Sequence, residues 1–462
     1  MKGPVPPLSV FETSVLMRPF FRIFSGIKPE TTGKIKSAGP WILAALLLSC
    51  IFIPRLSLRV GGTFRLDLRA EDFLLLVLIF LFFAAKAGKE KKISALVQKQ
   101  EAENAVAFGS VENSFLLFFL AVAASLLNGL WERTLDKPIV SLFYVLKWAE
   151  YFMVFVVSAY FAADRKSGRF LLKFFFILGL ALALYGYREI ALPSEAVAYP
   201  NYYRLYERFP FFGDANHVSG LMVLWMAFFA GLYLKSRSPL RIFLLAAGLL
   251  LIFPPFLLTY SRKSYFALAI ALAAGFLIKG SRRRLIALIL CYVLIALILP
   301  SRVLERVSGL GSVLTSTDAY NSSWAHNVES WALALWNFGH FWLLGAGIGA
   351  RHRIFYESQY LMVMAETGFV GLAAYLALVF SPLRSVLRGW PGSGASDEAQ
   401  GVAWGWILGL AGLLIHAISC ISGSIVKVAV PSWFLTGVVL AYLAAEKREG
   451  PSIPERLVHE PA

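Results

Sequence analysis

Apolar residues run along this chain in long blocks separated by short polar connections. About 20 apolar residues in a helix cross the hydrocarbon core of a bilayer, so such blocks predict transmembrane helices. Twelve blocks fit this description, at residues 40–54, 73–88, 113–130, 139–162, 169–187, 214–234, 240–258, 264–279, 285–300, 358–382, 401–422 and 430–446. The pattern predicts an all-α, polytopic membrane helix bundle of about twelve spans, without internal repeats or a second soluble domain.

The longest polar connection, residues 301–357, lies between the ninth and tenth predicted spans. It is rich in Arg and His, and we expect it to form one large extracytoplasmic loop that folds over a bound molecule. The chain then divides into an N-terminal segment 1–38, a transmembrane domain 39–446 and a tail 447–462. Residues 15–24 predict either an interfacial amphipathic helix or part of a disordered tail, and we expect no cleavable signal peptide.

The composition agrees with a membrane protein. The chain is 58% hydrophobic and only 16% charged, whereas soluble domains contain about 25% charged residues. The net charge of +16 indicates loops that face lipid phosphates and anionic substrates, and no nucleic-acid partner is expected. Cys50, Cys291 and Cys420 lie inside apolar blocks, which is typical of buried apolar residues rather than of disulfides or metal ligands.

The distribution of basic residues predicts the orientation of the chain. With a cytoplasmic N-terminus, the cytoplasmic segments hold 26 Lys plus Arg and the outer segments hold 16. The positive-inside rule therefore places both termini in the cytoplasm and loop 301–357 outside. The outer segments contain 13 Arg but only 3 Lys, which is expected either for phosphate binding by Arg or for a positive-inside bias that acts mainly on Lys.

Two pairs of polar residues stand at the predicted outer ends of spans six and eight. Asp214 and His217 open the sixth span, Asp214 as an anionic helix cap and His217 one turn further, facing a polar cavity rather than lipid. Arg262 and Lys263 follow Ser261, the predicted cap of the eighth span. Their positive charge opposes the dipole at a helix N-terminus, which favours an anion-binding site over simple snorkelling to lipid headgroups.

Three further ionisable positions lie inside predicted spans. Lys147 and Glu150 stand three residues apart in the fourth span, and this spacing favours a structural ion pair. Glu366, in the tenth span, is expected either to orient a loop Arg or cap a kink, or to act as a buried carboxylate near a catalytic centre. His416, in the eleventh span, is typical of a histidine with satisfied hydrogen bonds inside a bundle.

Known nucleotide and metal motifs are missing from the sequence. It contains no Walker loop, no Rossmann glycine fingerprint, no zinc cluster and no Asp-x-Asp motif on an inner loop. What remains is chemistry without a metal or another cofactor, in which Arg side chains stabilise a diphosphate leaving group electrostatically.

Five segments resemble, in their order and spacing, signatures of the O-antigen ligase and O-antigen polymerase superfamily. They are Phe212-Gly-Asp-Ala-Asn-His217, Leu258-Thr-Tyr-Ser-Arg-Lys-Ser-Tyr-Phe-Ala-Leu268, Ser322-Ser-Trp-Ala-His-Asn-Val-Glu-Ser-Trp-Ala-Leu-Ala-Leu335, Leu344-Gly-Ala-Gly-Ile-Gly349 and Gln359-Tyr-Leu-Met-Val-Met-Ala-Glu-Thr-Gly-Phe-Val-Gly-Leu372. The resemblance covers residues 170–385, and the rest of the chain agrees in topology.

The resemblance implies a metal-independent, inverting glycosyltransferase of the bacterial inner membrane. Its donor is a glycan on a polyprenyl diphosphate, and its acceptor is another sugar, either on the next lipid-linked repeat (polymerase) or on lipid A-core (ligase). A protein that regulates chain length is a further expected partner. By position, Arg262 matches the family's Arg after the seventh span, and Glu366 matches the Glu of the tenth-span motif.

The residues expected to carry this reaction fall into two groups. The expected catalytic residues are Arg262, His326, His352, Glu357 and Glu366. The residues expected to hold the donor diphosphate are Arg262, Lys263, Arg302, Arg351 and Arg353. Where ligases carry a His before the Tyr-Leu of the tenth span, this chain has Glu357-Ser358, and where the family often has an Arg ahead of the loop Trp, it has His326-Asn327. These departures favour a polymerase, with ligase and lipid-linked oligosaccharide flippase as alternatives.

Overall fold

A computed structural model describes most of the chain. It covers residues 29–53, 56–60, 64–87, 95–191, 205–206, 215–278, 282–298, 323–350, 356–389 and 395–449. Several sequence predictions fall outside these residues, namely those for segment 15–24, Asp214, Arg302, Arg351, His352, Arg353 and the end of the tail.

The described residues form thirteen α-helices. They are α1 (Pro29–Phe52), α2 (Ala70–Ala87), α3 (Ala95–Trp131), α4 (Pro138–Phe161), α5 (Arg165–Ala191), α6 (Ala215–Lys235), α7 (Pro239–Leu257), α8 (Arg262–Ala274), α9 (Arg282–Ile298), α10 (Ser323–His340), α11 (Gln359–Arg388), α12 (Asp397–His416) and α13 (Val426–Glu449). Short 3₁₀ turns follow α8, at Gly275–Leu277, and α12, at Ser422–Ser424.

Nine helices of the described part are long and apolar enough to cross a membrane: α1, α3, α4, α5, α6, α7, α11, α12 and α13. The predictions of a helical bundle and of a multi-pass membrane protein are confirmed at this level. Three further predicted spans are helical but shorter or more charged. Helices α8 and α9 have 13 and 17 residues, and α2 carries Glu71 and Asp72 in its first turn.

Two local elements were not predicted. Residues Leu56–Val60 (β1) and Phe64–Leu68 (β2) pair antiparallel as a hairpin, with Leu56 opposite Leu68 and Val60 opposite Phe64. The sequence Leu-Ser-Leu-Arg-Val alternates apolar and polar residues, a period of two that favours a strand. Helix α10 occupies part of the large loop, for which the sequence analysis predicted no helix.

Helices α6 and α13 form the centre of the bundle. In each of them 89% of the apolar stretch is buried, against at most 61% in the other spanning helices. Helix α6 packs closely on α12 through glycines. A Cβ atom on Gly231 would lie 2.3 Å from the backbone of Gly405, so the two helices approach to backbone contact.

Two ends of the bundle are distinguished by their charged groups. The Glu446 end is where α12 begins and α13 finishes, and the Lys263 end is where α6, α8 and α11 begin. At the Glu446 end, arginines from α5 and α7 pair with acids of α12 and α13. The N···O distances are 2.7 Å for Arg165–Glu446, 3.0 Å for Arg169–Glu398 and 3.1 Å for Arg241–Glu398. These pairs tie the helices together at that end.

Helix α11 is interrupted two to three turns after it begins. Gly368 has φ 65° and ψ −166°, outside the helical region. The amides of Phe369 and Val370 donate to the carbonyls of Trp342 and Leu343, at 2.8 and 3.2 Å. The break is therefore filled by backbone from the segment that follows α10, as broken helices at membrane depth require.

The segment after α10 and α11 thus exchange backbone hydrogen bonds, and the Gly-rich residues 344–349 donate the second pair of these bonds. The amides of Ala346 and Gly347 each donate to α11 carbonyls, those of Ala365 and Glu366, at 3.0 Å. Gly345 has φ 74°, and a Cβ there would lie 2.3 Å from the backbone of Glu366. A residue with a side chain would not fit at this approach.

Candidate functional site

The N-terminus of α8 carries two positive side chains and no acidic one in its first turn. Arg262 and Lys263 are both half-buried. The preceding residue, Tyr260, has a φ of 51°, so the chain turns sharply into the helix. Because backbone N–H groups at a helix N-terminus also carry partial positive charge, this turn concentrates positive potential.

A buried hydroxyl cluster fixes the start of α8 against α6. Ser261 Oγ donates to Asn216 Oδ1 at 2.8 Å, and the hydroxyls of Ser264 and Ser219 lie 2.6 Å apart. Ser261 occupies the cap position, but its side chain makes no capping hydrogen bond. The predicted capping role is wrong, because the hydroxyl is engaged by Asn216 instead.

Lys263 forms a partly buried ion pair with Glu357. Its Nζ lies 2.6 Å from Glu357 Oε2, and the two side chains are 17% and 29% exposed. The same Nζ also donates to Asn327 Oδ1 on α10 at 3.4 Å. One ammonium group thus joins α8, α10 and the residues just before α11.

Glu357 also lies near a histidine of α10. His326 Nε2 is 3.8 Å from Glu357 Oε1, and His326 is the most exposed member of the group, at 56%. The backbone N–H of Glu357 donates to Ser330 Oγ at 2.8 Å. Main chain and side chain of Glu357 are therefore held by separate contacts. We call Lys263, His326 and Glu357 the charged triad.

The residues on either side of Glu357 are anchored as well. Asn337 Nδ2 donates to the Tyr356 hydroxyl at 2.6 Å, and both residues are buried. Ser358 caps α11, its hydroxyl accepting from Leu361 N at 3.4 Å. The strand of chain that presents Glu357 is thus fixed between α10 and α11.

A neutral polar layer lies next to the charged triad. Gln359, fully buried, donates from its backbone to Ala417 O at 2.9 Å and from its side chain to Ser424 Oγ at 3.1 Å. His416 Nδ1 is 2.6 Å from Ser422 Oγ, and its Nε2 has no hydrogen-bond partner among the described residues. The prediction of a fully satisfied histidine therefore holds for one ring nitrogen only.

Glu366 lies away from the charged triad. It is buried beside the break in α11, about 10 Å along the helix from Gln359. Its carbonyl accepts from Ser125 Oγ at 2.6 Å and from Gly347 N at 3.0 Å. Both contacts are made by the backbone carbonyl, so the role predicted for the Glu366 carboxylate stays a prediction. His217, half-buried near the start of α6, lies close enough to His416 to act on it electrostatically, as does Lys263.

Sequence reasoning missed Asn327, Ser330 and Gln359. Asn327 and Ser330 stand three residues apart on α10, so they share a helix face, and both are buried. Two small polar residues at that spacing, next to His326, could have indicated a polar helix face from the sequence. No local pattern indicates Gln359, because its partners lie 58 or more residues further along the chain.

A second charged group lies where α2 meets α4. Lys147 pairs with Glu150, as predicted, and also with Asp72 at 3.0 Å, which the sequence did not indicate. Arg69 lies 3.5 Å from Glu71 close by. Each of the two cations is paired with at least one carboxylate, which is typical of a structural network.

The described residues contain no group of three or more His, Cys, Asp or Glu side chains suited to hold a metal ion. No protein-family model and no curated protein sequence matches the chain.

Proposed function

We propose that this protein is an integral membrane glycosyltransferase of the O-antigen ligase and polymerase type. It transfers a glycan from a polyprenyl-diphosphate donor to a sugar acceptor at the outer face of the inner membrane, and it acts as a polymerase. The observation that carries the proposal is the charged triad, in which the Glu357 carboxylate and the His326 imidazole lie beside the Lys263 ammonium group at the N-terminus of α8.

The triad supplies what such a transfer requires. The acceptor hydroxyl attacks the anomeric carbon, its proton passes to the Glu357 carboxylate, and the bond to the diphosphate oxygen breaks with inversion. Arg262, Lys263 and the N-terminus of α8 stabilise the negative charge that develops on the leaving diphosphate. His326 is placed to accept the proton from Glu357 and pass it to solvent.

The proposal also assigns roles to the other predicted residues. Arg302, Arg351 and Arg353 belong to the large loop, from which they would add positive charge around the diphosphate, and His352 is a further base of the same loop. Glu366 supports the break in α11 and takes no direct part. Asp214 and His217 would contribute polar groups at the mouth of the site.

The first test replaces the triad's cation. We expect Lys263→Ala to lower the transfer rate about a hundredfold, because a group that stabilises transition-state charge is lost. Purified protein in proteoliposomes is given a lipid-linked oligosaccharide, and glycan length is read by gel electrophoresis. Lys137→Ala, at an exposed lysine before α4, is the matched control. Wild-type rates in the Lys263 variant would contradict the proposal.

Deletion of the gene separates polymerase from ligase. If the protein is a polymerase, single repeats remain attached to the surface lipid and long chains disappear. If it is a ligase, long chains are still made on the polyprenyl carrier but are no longer attached. The glycans on each carrier are compared by gel electrophoresis.

A lipid-linked oligosaccharide flippase is the second candidate, and the break in α11 favours it. Discontinuous helices recur at the substrate sites of secondary transporters, and α11 is broken at Gly368, close to the buried Glu366. Reconstituted protein that moves a labelled lipid-linked sugar across the bilayer without changing glycan length would support this function over transfer.

A further inference from the structure

Helix α10 buries its polar side against the protein. Asn327, Ser330 and Asn337 recur at helical spacing, so they share one face of the helix, and all three are buried. Each takes part in a hydrogen bond to α8 or to the residues just before α11. The side of α10 that packs on the bundle is therefore its hydrogen-bonding side.

The opposite side of α10 exposes apolar residues. Val328, Leu335 and Trp336 are 44%, 54% and 59% exposed, and Ala332 and Gly339 are exposed between them. These five positions, which we call the apolar face of α10, cover about 100° of the helix surface. A helix beside water turns such a face inward, so the surroundings of this face are not water.

An exposed polar strip separates the apolar face from the bundle along one edge. Glu329, His340 and His326 follow one another around the helix over about 60° of its surface, and all three are exposed. Helix α10 thus has one face on the bundle, one apolar face and one polar, exposed strip. A helix that lies in a membrane surface beside a protein has this cross-section, with lipid on one side and water on the other.

Contacts along α10 hold it at the end of the bundle. Ser330 Oγ accepts a backbone N–H just before the spanning helix α11 begins, at 2.8 Å. Asn128 Nδ2, in the last turn of the spanning helix α3, donates at 2.8 Å to Gly345 O, which follows α10. Helices α3 and α11 are antiparallel, since Ser110 and Ser385 meet at their other ends. The start of α11 and the end of α3 therefore lie at one end of the bundle, and α10 runs along it.

The apolar surface continues from α10 onto a spanning helix. Trp342 and Leu343 follow α10 and are exposed, and their carbonyls accept from the amides of Phe369 and Val370 of α11. Phe369 is 58% exposed and belongs to a helix long and apolar enough to cross a membrane, so it faces lipid. Trp336 and Trp342 are of the residue type enriched where membrane meets water.

We propose that α10 lies in the membrane surface at the Lys263 end, with its apolar face immersed where headgroups meet acyl chains. The occupant of this face is lipid, because the surface of α11 next to it faces lipid and because the polar strip of α10 lies on another side. The charged triad, which includes His326 of α10, is then held at the depth of the lipid headgroups. This inference goes beyond the proposed transfer reaction and does not require it.

Nitroxide labels on two faces of α10 test the proposal. With Cys50, Cys291 and Cys420 replaced by alanine, Leu335→Cys places a label on the apolar face, and Glu329→Cys is the matched control on the polar strip of the same helix. The labelled proteins are reconstituted in phosphatidylcholine and phosphatidylglycerol vesicles. Oxygen concentrates in lipid and a nickel chelate stays in water, so the ratio of their accessibilities should be about tenfold higher at Leu335 than at Glu329.

Two results would overturn the proposal. Greater access of the nickel chelate than of oxygen at Leu335 would place the face in water, and low access of both reagents there would show that a protein partner or a second copy of the chain covers it. Both results are read from depth and not from glycan transfer, so they are distinct from a failure of the proposed function.

A second measurement keeps the three cysteines, should their replacement prevent folding. The unchanged protein and Trp336→Phe are compared in bilayers of phosphatidylcholine brominated on its acyl chains. The emission that Trp336 contributes, obtained as the difference between the two proteins, should fall about twofold or more in the brominated bilayer. Equal Trp336 emission with and without bromine would contradict immersion of the apolar face.

Discussion

Glu357 is the residue on which the candidate site depends. One of its carboxylate oxygens meets Lys263 and the other faces His326, while its N–H is held by Ser330. A carboxylate in this arrangement is positioned by the protein before any substrate arrives. Preorganisation of this kind is what general acid–base catalysis requires.

Replacing this carboxylate by an amide should remove the base and leave the fold intact. We expect Glu357→Gln to lower the transfer rate about a hundredfold, because an amide accepts no proton, while the backbone contact to Ser330 is unaffected. The rate is measured in proteoliposomes with the lipid-linked donor, and the melting temperature is measured in detergent.

Glu329→Gln is the control for this variant, since Glu329 is an exposed acid of the same helix as His326. Its rate should equal that of the wild type. Equal rates in the Glu357 and Glu329 variants would remove Glu357 from the mechanism.

At the scale of elements, the feature that matters most is the exchange of backbone hydrogen bonds between α11 and residues 342–347. A polar backbone left unpaired among apolar helices is costly, so the break in α11 persists only because this segment fills it. The same exchange joins α11 to the segment that follows α10; α10 carries His326, and Glu357 lies just before α11. The shape of the site is thus coupled to the broken helix.

Gly368→Ala tests this coupling. The residue has φ 65°, and a Cβ would lie 2.3 Å from Leu343 O, so alanine is both strained and crowded there. We expect a loss of about 2 kcal/mol or more in the free energy of unfolding, measured by denaturation in detergent.

Gly339→Ala, in α10, is the matched substitution. No atom lies within 4 Å of its Cβ position, so the variant should be as stable as the wild type or slightly more so. If both variants unfold alike, the break is not a required feature of α11.

At the scale of the whole molecule, the two ends of the bundle have different electrostatic designs. Matched Arg–Glu pairs link α5, α7, α12 and α13 at the Glu446 end. At the Lys263 end, Arg262 and Lys263 stand at the start of α8, and Lys263 is paired with Glu357. The proposed function assigns the binding of an anionic substrate to this second end.

The proposed orientation gives a prediction for the entire chain. With Cys50, Cys291 and Cys420 replaced by alanine, a cysteine at Lys137 should react with a membrane-impermeant maleimide applied to spheroplasts. A cysteine at Arg283, next to the Arg284 that binds carbonyls at the end of α6, should react only after permeabilisation. The reverse pattern would place the charged triad in the cytoplasm.

Much of the architecture could be predicted from the sequence, because helices in a bilayer are encoded locally. Each needs only a block of apolar residues, so twelve blocks indicated twelve helices, nine of which are long and apolar enough to span. Arg262 and Lys263 were found because their charge conflicts with a helix N-terminus. Lys147 and Glu150 were found because one helical turn brings them together.

The hairpin and α10 are the two elements that the sequence analysis did not predict. Both lie in connections between predicted spans, for which no strand or helix was predicted. The alternation in Leu56–Val60 was present in the sequence but too short to compete with the strong helical signals around it.

By itself the sequence determined a membrane bundle, the positions of its helices and a concentration of Arg and His in one large loop. Only the tertiary structure decided that Lys263 meets Glu357, 94 residues further along the chain, that α11 breaks at Gly368, and that α10 buries its polar side against the bundle. The physical reason is the separation along the chain of the residues that determine each feature. Helix formation in lipid follows from neighbouring residues, whereas ion pairs, backbone hydrogen bonds between segments and the burial of a helix face depend on how whole helices pack.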